Sequence, residues 1–327
     1  MGPTAYARTA TKQDLPTLMA TILYQPPACT DHITGDEHPE HPLRHRAIQT
    51  ILEHEKFSGL IRAVAPKATR EQLERVHTPS HIDRIYAAAP EDGIAYLDAD
   101  TVVSPGSVEA ALYAAGAACE AVDDVMNGSA RNVFCAIRPP GHHAEPDQAM
   151  GFCLFNNAAL AAAQARHVHG LTRVAIVDFD VHHGNGIQAF CENDPHLFYA
   201  SSHQYPCWPD TGLETETGID GNIVNATLAP GAGSDEFRAA WTDKILPKLE
   251  AFRPELLIIS AGFDAHSSDP CAHLRLLAPD YAWISMELVG LANRCCNGRV
   301  VSLLEGGYDL HALASCVGVH VQILLTA

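Results

Sequence analysis

Histidine, aspartate and tyrosine residues cluster at four places in the sequence, each directly after a short apolar run. His142 and His143 follow the first run, and Asp178–His182 follows the second. Asp264 and Tyr308 follow two later runs. Imidazoles, carboxylates and phenols bind metal ions and transfer protons in hydrolytic enzymes. These side chains are therefore the first candidates for a catalytic site.

The spacing within the second cluster indicates a common direction for its polar side chains. Asp178, Asp180 and His182 are separated by single residues, so an extended backbone turns all three toward one face. Phe179 and Val181 then point to the opposite, buried side. Two carboxylates and an imidazole brought together out of water destabilise one another unless a cation is present. The pattern therefore predicts a metal site.

Three of the clustered residues have the donor atoms of a catalytic metal site. Asp180, His182 and Asp264 offer two carboxylates and one imidazole, and a site with three protein ligands leaves a coordination position open for water or substrate. Such a set can hold zinc, and its oxygen-rich character does not exclude iron, cobalt or manganese. We expect one catalytic cation per chain.

The tandem imidazoles and the tyrosine supply the other groups that amide hydrolysis needs. His142 and His143 can act as a general base and a general acid. Tyr308 lies in a glycine-flanked loop, from which its hydroxyl can donate a hydrogen bond to a developing oxyanion. A metal, a base and an oxyanion donor together predict metal-assisted hydrolysis of an amide.

The elements that must position these residues are short strands that alternate with helices. Five apolar runs predict buried strands, at residues 132–137, 173–177, 197–201, 255–260 and 299–304. Helices are predicted at residues 44–56, 107–126, 157–166, 234–252 and 279–293. Continuous apolar strands separated by helices indicate an α/β fold with a mainly parallel sheet covered on both faces. The candidate residues then lie at the carboxyl edge of the sheet, where ligands bind in such folds.

The composition indicates one globular domain with an acidic character. Hydrophobic residues make up 47% of the 327 residues and charged residues 18%, so the chain can build a sizeable core. No composition shift or repeat marks a linker, and we expect one domain over residues 1–327, with an irregular segment at residues 1–35. The net charge of −18 argues against a nucleic-acid partner and favours basic partners such as lysine-rich tails or polyamines.

Targeting signals and cysteine usage favour a cytoplasmic location. The first 20 residues lack the continuous apolar segment of a secretory signal. No window approaches about 18 consecutive apolar residues, so no membrane span is expected. The ten cysteines form no C-x-x-C pair and are interpreted as reduced, mostly buried thiols.

Four motifs resemble those of the histone deacetylase superfamily, in particular its class II and bacterial deacetylase-like members. They are PGHHA at residues 140–144, DFDVHHGNG at 178–186, AGFDAH at 261–266 and EGGY at 305–308. The resemblance extends from about His38 to Gln322, nearly the whole chain. It implies a three-layer α/β/α architecture of the arginase/deacetylase type, with about eight strands in the sheet.

The resemblance also implies a role for each catalytic residue. Zinc would be held by the three residues with metal-ligand donor atoms named above. His142 and His143 would be the tandem acid–base pair, with His143 the more direct participant. Asp178 would orient His142, and Asn185 would lie behind His143. Tyr308 would polarise the acetyl carbonyl.

Further residues are implied for substrate and for a structural ion. Phe152 and Trp208 would sandwich the methylene stem of an acyl-lysine in a narrow tunnel, and the Gly151 carbonyl would accept the amide N–H. The resemblance also implies a structural potassium ion bound by the Ser201 hydroxyl and by four main-chain carbonyls, those of Asp178, Asp180, His182 and Ser202.

The substrate and the reaction type leave alternatives open. N6-acetyl-lysine in a peptide or protein is the preferred substrate, because Cys271 stands near the position where some polyamine-selective relatives carry glutamate. An acetylpolyamine or another small acetylated amine is the alternative. An arginase-type hydrolase would need a two-metal carboxylate cluster, and a silent acyl-lysine binder would not need His142, His143 and Tyr308 together. A homo-oligomer that closes over the site is also left open.

Other polar residues near the motifs are interpreted as structural or as neighbours of the site. The histidines in this group are His38, His41, His183, His203 and His266. Cys153 is interpreted as a packed thiol, because no base is assigned to it.

Overall fold

An eight-stranded parallel sheet forms the centre of the computed structural model, which describes residues 20–327. The sheet order is β2-β1-β5-β10-β9-β6-β7-β8, and every neighbouring pair is parallel. The strands of this sheet are β1 (Thr21–Tyr24), β2 (Ile61–Ala63), β5 (Asn132–Cys135), β6 (Val174–Asp178), β7 (Leu197–Gln204), β8 (Ile223–Leu228), β9 (Leu256–Ala261) and β10 (Val300–Leu304). A separate antiparallel pair consists of β3 (Ala95–Tyr96) and β4 (Val102–Val103). The predicted α/β fold with a mainly parallel sheet of about eight strands is confirmed.

Helices cover both faces of the sheet and complete a three-layer α/β/α arrangement. The helices are α1 (Leu43–Leu52), α2 (Arg70–Glu74), α3 (Pro79–Ala88), α4 (Ser107–Asn127), α5 (Asn157–His167), α6 (Asn185–Cys191), α7 (Ser234–Ala239), α8 (Leu246–Phe252), α9 (Ala278–Cys295) and α10 (Leu310–Thr326). Apolar side chains of α1, α7, α8, α9 and α10 pack on one face of the sheet. Those of α4, α5 and α6 pack on the other face. A π-helical turn, Ala240–Ile245, joins α7 to α8.

The apolar runs of the central strands follow from burial on both faces. In β6, Val174 and Ile176 pack into one core layer, and Ala175 and Val177 pack into the other. A strand with helices on both sides has no solvent face, so it needs apolar residues at every position. The run ends at Asp178, where the strand reaches the edge of the sheet.

The structure differs from the prediction at the margins of the sheet. The irregular segment predicted at residues 1–35 is wrong for Thr21–Tyr24, which pairs with β2 and β5. Four consecutive buried residues are enough for a strand because two neighbours supply its hydrogen bonds. Residues 1–19 lie outside the described part of the chain.

Membrane spans and cysteines can be examined in the described residues. Within residues 20–327, no helix is long and apolar enough to cross a membrane. The ten cysteines are all free thiols, and seven of them are buried: Cys29, Cys119, Cys135, Cys153, Cys191, Cys296 and Cys316.

A buried ionic cluster fixes the loop that precedes α1 to the edge of the sheet. Glu40 lies between Arg44 and Arg138, and all three side chains are fully buried. The Arg138 guanidinium donates to the two Glu40 carboxylate oxygens at 2.5 and 2.7 Å, and Arg44 donates to one of them at 2.9 Å. Burial alone would raise the pKa of Glu40, but the two guanidinium groups outweigh it and hold the pKa well below its usual value.

Replacing Glu40 with glutamine should lower the free energy of unfolding by about 3–5 kcal/mol, because two buried guanidinium groups would lose their counter-charge. Denaturant unfolding measures the change. Glu74→Gln is the matched control, since it breaks an ion pair with Arg70 whose side chains are 40% and 48% exposed. That control should cost less than about 1 kcal/mol. Equal losses in the two variants would contradict the account of the cluster.

Candidate active site

Four neighbouring strands deliver the candidate residues to one edge of the sheet. In the sheet, β5, β10, β9 and β6 are consecutive. The histidine pair follows β5, Tyr308 follows β10, Asp264 follows β9, and the turn with Asp180 and His182 follows β6. Because parallel strands end on the same side, residues more than a hundred positions apart meet there.

Asp180, His182 and Asp264 converge with their donor atoms within 4.8 Å of one another. The His182 Nδ1 lies 3.2 Å from Asp180 Oδ1 and 3.3 Å from Asp264 Oδ2. Both carboxylates are buried. The Val181 amide donates to Asp264 Oδ1 at 2.8 Å, but within the described chain the buried Asp264 Oδ2 accepts no hydrogen bond. An unpartnered buried oxygen beside a second carboxylate is the environment that a divalent cation stabilises.

Two glycines let the backbone approach this triad. A Cβ on Gly262 would collide with the Asp180 carboxylate, and a Cβ on Gly306 would collide with the carboxylates of Asp264 and Asp180. The Gly306 amide also donates to Asp180 Oδ2 at 2.8 Å. Close approach of these loops holds two carboxylates and one imidazole together. This donor set suits a cation with mixed oxygen and nitrogen ligands.

The tandem histidines each have a different polar partner. His142 Nδ1 lies 3.0 Å from Asp178 Oδ2, and His143 Nδ1 lies 2.8 Å from Asn185 Oδ1. The Asn185 amide nitrogen donates to Glu145 Oε1 at 2.8 Å, which fixes its oxygen toward His143. An amide oxygen only accepts, so the His143 hydrogen is on Nδ1 and the Nε2 lone pair is free to take a proton.

The two imidazoles have pKa values shifted in opposite directions. Burial disfavours the charged form of His142, but the Asp180 and Asp178 carboxylates outweigh it and raise its pKa to about 10. Burial, with His142 beside it, lowers the pKa of His143 well below its usual value. The ring centroids are 3.8 Å apart. Adjacent imidazoles whose pKa values are shifted apart can take different roles in proton transfer.

A narrow cavity of about 180 Å³ opens onto these residues. It is lined by Asp100, His143, Gly151, Phe152, His182, Trp208, Cys271 and Tyr308. The residues predicted for the tunnel therefore all line one pocket with the tyrosine. Trp208 is 40% exposed at the mouth, and its ring lies edge-on to His143 at 4.6 Å. The sequence reasoning did not assign a role to Asp100.

The loop that carries Tyr308 is held from two sides by residues that the prediction missed. Asp269 Oδ2 accepts the backbone amides of Tyr308 and Asp309 at 2.7 and 3.2 Å. Arg44 donates to the carbonyl of Gly307 at 2.6 Å, and its guanidinium lies over the Tyr308 ring, 4.9 Å from the centroid. Burial raises the pKa of the Tyr308 hydroxyl well above its usual value, so it remains a hydrogen-bond donor.

Another residue that the prediction missed, Glu305, supports the histidine pair. Its carboxylate accepts the amides of Gly141 and His142 at 2.7 and 3.2 Å and the Ser260 hydroxyl at 2.8 Å. Burial raises the pKa of Glu305 to about 7. Glu305 is part of the EGGY motif, but its sequence position gives no indication that it reaches the loop of Gly141 and His142.

The residues predicted for potassium lie on two adjacent elements. The turn Asp178–His182 follows β6, and Ser201 and Ser202 lie on β7, with Ser201 paired to Asp178. The Ser201 hydroxyl bonds His203 Nδ1 at 2.9 Å, and the Ser202 hydroxyl accepts from Trp241 at 3.0 Å. The structure thus brings the two segments together, and the ion itself stays a prediction.

Two buried histidines support the loop that carries Trp208. His183 bonds the Thr211 hydroxyl at 2.8 Å, and His203 bonds the Gly212 carbonyl at 2.9 Å. Burial lowers the pKa of His183 to about 4, and burial together with His183 lowers that of His203 to about 3. Neutral rings with these partners fit the structural role predicted for them.

Cys153 and His266 also make local contacts. The Cys153 thiol donates to the Gly151 carbonyl at 3.2 Å, and burial raises its pKa far above the usual value. His266 Nδ1 accepts the Ser268 amide at 3.1 Å. Neither arrangement supplies an activated nucleophile or a base for one.

Replacing Asp180 with alanine should leave less than about one tenth of an equivalent of bound zinc, because a two-ligand site holds the ion weakly. The measurement is elemental analysis after incubation with zinc and desalting. Asp243→Ala, on the exposed side of the π-helical turn, is the control and should bind zinc like the parent protein. Near-stoichiometric zinc in the Asp180 variant would contradict the ligand assignment.

Known proteins share both the sequence and the fold. Residues 38–324 match the histone deacetylase domain family. The chain is 38% identical over 296 residues to a histone deacetylase-like amidohydrolase of Pseudomonas aeruginosa, covering 87% of this chain and 74% of that protein. It is 37% identical over 281 residues to the polyamine deacetylase HDAC10 of Mus musculus, covering 80% of this chain and 41% of that protein.

A crystal structure of the HDA15 HD domain superposes with a TM-score of 0.89 at 34% identity, over 94% of this chain and 88% of that one. The resemblance inferred from the four motifs is confirmed by these matches. The chain belongs to the histone deacetylase family and is a hydrolase of the deacetylase type.

Proposed function

We propose that this protein is a zinc-dependent deacetylase that hydrolyses the amide of N6-acetyl-lysine in peptides or proteins and releases acetate. One observation carries the proposal. His143, His182 and Tyr308 line one narrow pocket. The other two triad residues contact His182, and His142 stacks against His143 with its own polar partner. This set matches the requirements of amide hydrolysis, and a silent binder would not need all of it.

The shape of the pocket supports an extended acyl-lysine side chain as the substrate. Phe152 and Trp208 line it with aromatic rings, which suit a methylene stem. Gly151 lines the same pocket, and its carbonyl oxygen, which accepts the Cys153 thiol at 3.2 Å, keeps a second lone pair for the substrate amide N–H. A Cβ at Gly151 would collide with the rings of His143 and Trp208, so glycine keeps this wall open. Its φ of +57° also favours glycine.

The residues of the site divide the proton transfers of the reaction. His143 Nε2 takes a proton from the attacking water, because its Nδ1 hydrogen is engaged by Asn185. The Tyr308 hydroxyl donates a hydrogen bond to the acetyl oxygen as negative charge develops there. The imidazolium formed at His143 then protonates the leaving amine. The carbon–nitrogen bond breaks, and acetate departs. His142, held by Asp178, lies directly beside the His143 ring during this transfer.

Two ions are part of the proposal. Asp180, His182 and Asp264 would hold zinc, which supplies Lewis acidity when bound. Potassium would bind near the start of the Asp178–His182 turn. In the described chain, the main-chain carbonyls of Asp180 and His182 accept no hydrogen bond, which supports a cation as their partner.

An acetylpolyamine is the second candidate substrate. The net charge of −18 favours a cationic amine, and a relative of this chain is named as a polyamine deacetylase. Cys271 lines the pocket without adding a charge that would select a polyamine. The lack of a charge at this position favours the peptide substrate. The cytoplasmic location and a homo-oligomer stay predictions from the sequence.

Acetate release from an acetyl-lysine peptide should fall by about 10²- to 10³-fold in Tyr308→Phe, with zinc content unchanged, because one oxyanion donor is lost. The measurement is kcat of the zinc-loaded protein, with acetylputrescine assayed beside the peptide. Tyr281→Phe is the matched control. The Tyr281 hydroxyl is buried in the core without a hydrogen-bond partner among the described residues, so turnover should be unchanged.

Three results would revise the proposal. Undiminished turnover in Tyr308→Phe would remove the tyrosine from the mechanism. Turnover of acetylputrescine alone would keep the mechanism and change the substrate class. Silence of the zinc-loaded protein on both substrates would contradict the proposed function.

A further inference from the structure

His38 bridges two loops at the mouth of the pocket through both of its ring nitrogens. Nδ1 lies 3.1 Å from both the amide nitrogen and the carbonyl oxygen of Glu40, and Nε2 lies 2.9 Å from the Asp100 carbonyl oxygen. The Asp100 carbonyl only accepts, so Nε2 carries the hydrogen, and Nδ1 of the neutral ring accepts the Glu40 amide. The ring orientation is therefore fixed by two backbone groups. One of these backbone groups belongs to the buried residue Glu40, and the other belongs to Asp100, which lines the pocket.

The same imidazole packs against the aromatic wall of the pocket. The His38 and Phe152 rings are nearly perpendicular, at 71°, with centroids 4.7 Å apart. This is a favourable edge-to-face geometry. Phe152 has a φ of +68°, a backbone conformation that residues other than glycine rarely adopt. Such a conformation persists only where neighbouring contacts enforce it.

A second contact holds Phe152 from the backbone side. The Thr101 hydroxyl accepts the Phe152 amide at 3.2 Å. Asp98 Oδ1 accepts the amides of Asp100 and Thr101 at 3.0 and 2.6 Å, so these two residues form one turn. His38 therefore contacts Phe152 directly and also bonds the turn that holds its backbone.

Phe152 in turn contacts the candidate catalytic tyrosine. The rings of Phe152 and Tyr308 are nearly perpendicular, at 85°, with centroids 5.9 Å apart. A shift of Phe152 would change the width of the pocket that it lines together with Trp208, and it would change the packing around Tyr308. Phe152 thus connects the support from His38 to the space that a substrate stem would occupy.

We infer that His38 is a positioning residue that holds Phe152 and the Asp100 turn in place, and so sets the width of the pocket and its selectivity for a thin, linear methylene stem. This inference rests on the proposed function, because it assumes that an acylated stem passes along Phe152. It assigns His38 a role beyond a structural loop histidine, and it separates His38 from His41 on the same loop. His41 Nδ1 accepts the Leu43 amide at 3.2 Å.

The kinetic test compares variants that remove the two interactions of His38 separately. His38→Ala removes both, His38→Phe keeps the ring contact, and His38→Gln keeps an N–H donor for Asp100. His38→Ala should raise KM for the acetyl-lysine peptide about five- to tenfold and leave kcat within about twofold, because the pocket wall is loosened while the reacting groups remain. In His38→Phe and in His38→Gln, the KM should lie between the values of the parent protein and of His38→Ala.

A substrate with a broad stem tests the claim about width. In a peptide that carries 4-(acetamidomethyl)phenylalanine, a benzene ring replaces part of the methylene stem. The preference for acetyl-lysine over this residue, measured as the ratio of kcat/KM values, should fall about tenfold in His38→Ala. His41→Ala is the matched control, because within residues 20–327 no hydrogen bond or ring contact joins His41 to Phe152 or Asp100, and it should leave the preference unchanged. A uniform loss of kcat/KM on both substrates in His38→Ala would overturn the inference.

A spectroscopic measurement separates this inference from the proposed function. With 4-fluorophenylalanine at position 152, the ¹⁹F spectrum of the zinc-loaded protein should show one narrow resonance in the parent protein and in His41→Ala. The resonance should broaden or split in His38→Ala and narrow again in His38→Phe. An unchanged spectrum in His38→Ala would overturn the positioning role. The predicted spectra together with silence on both acetylated substrates would retain that role and reject the deacetylase activity and the selectivity.

Discussion

Buried negative charge at the carboxyl edge of the sheet is the constraint on which the rest of this structure depends. Asp178, Asp180, Asp264 and Glu305 are all fully buried or nearly so, and they lie behind the histidines of the pocket. Carboxylates removed from water are costly unless hydrogen bonds or cations compensate them. The surrounding structure supplies hydrogen bonds to several of their oxygens, and the remaining charge is concentrated on the triad that can hold a metal.

The compensation comes mostly from the backbone. Amides of Gly141 and His142 bind Glu305, the amide of Gly306 binds Asp180, and the amide of Val181 binds Asp264. Because these donors belong to loops after other strands of the sheet, each carboxylate also fixes a loop that a different strand carries. The electrostatics and the geometry of the site therefore arise from the same contacts. Small residues are required where the loops approach most closely, as at Gly262 and Gly306.

The interior of the sheet could be predicted from the sequence, and its margins could not. The runs at β5, β6, β9 and β10 are apolar at nearly every position because helices cover both faces. β2 has only three residues, and they are partly exposed. β8 contains Asn225, whose side chain donates to Gln188 inside the structure, so its pattern is interrupted by a buried polar residue. Short or interrupted runs carry too little periodicity to be assigned.

The reacting residues could be predicted because motif spacing and strand ends both point to them. Their supports could not, since these act across long sequence separations. Arg44 reaches the carbonyl of Gly307 from 263 positions away, and Asp269 holds the amide of Tyr308 from 39 positions away. A single sequence contains no local signal for such pairs. His38 is the same kind of case, because its importance comes from Asp100 and Phe152, which neighbour it only in the folded chain.

The central claim is that one cation at the triad enables this site to hydrolyse an acetylated amine. The most direct test is a zinc titration of the metal-free protein, with acetate release from an acetyl-lysine peptide measured at each point. The rate should rise in proportion to bound zinc and stop rising at one equivalent per chain. A full rate without metal, or a rise that continues to two equivalents as in a two-metal hydrolase, would contradict it.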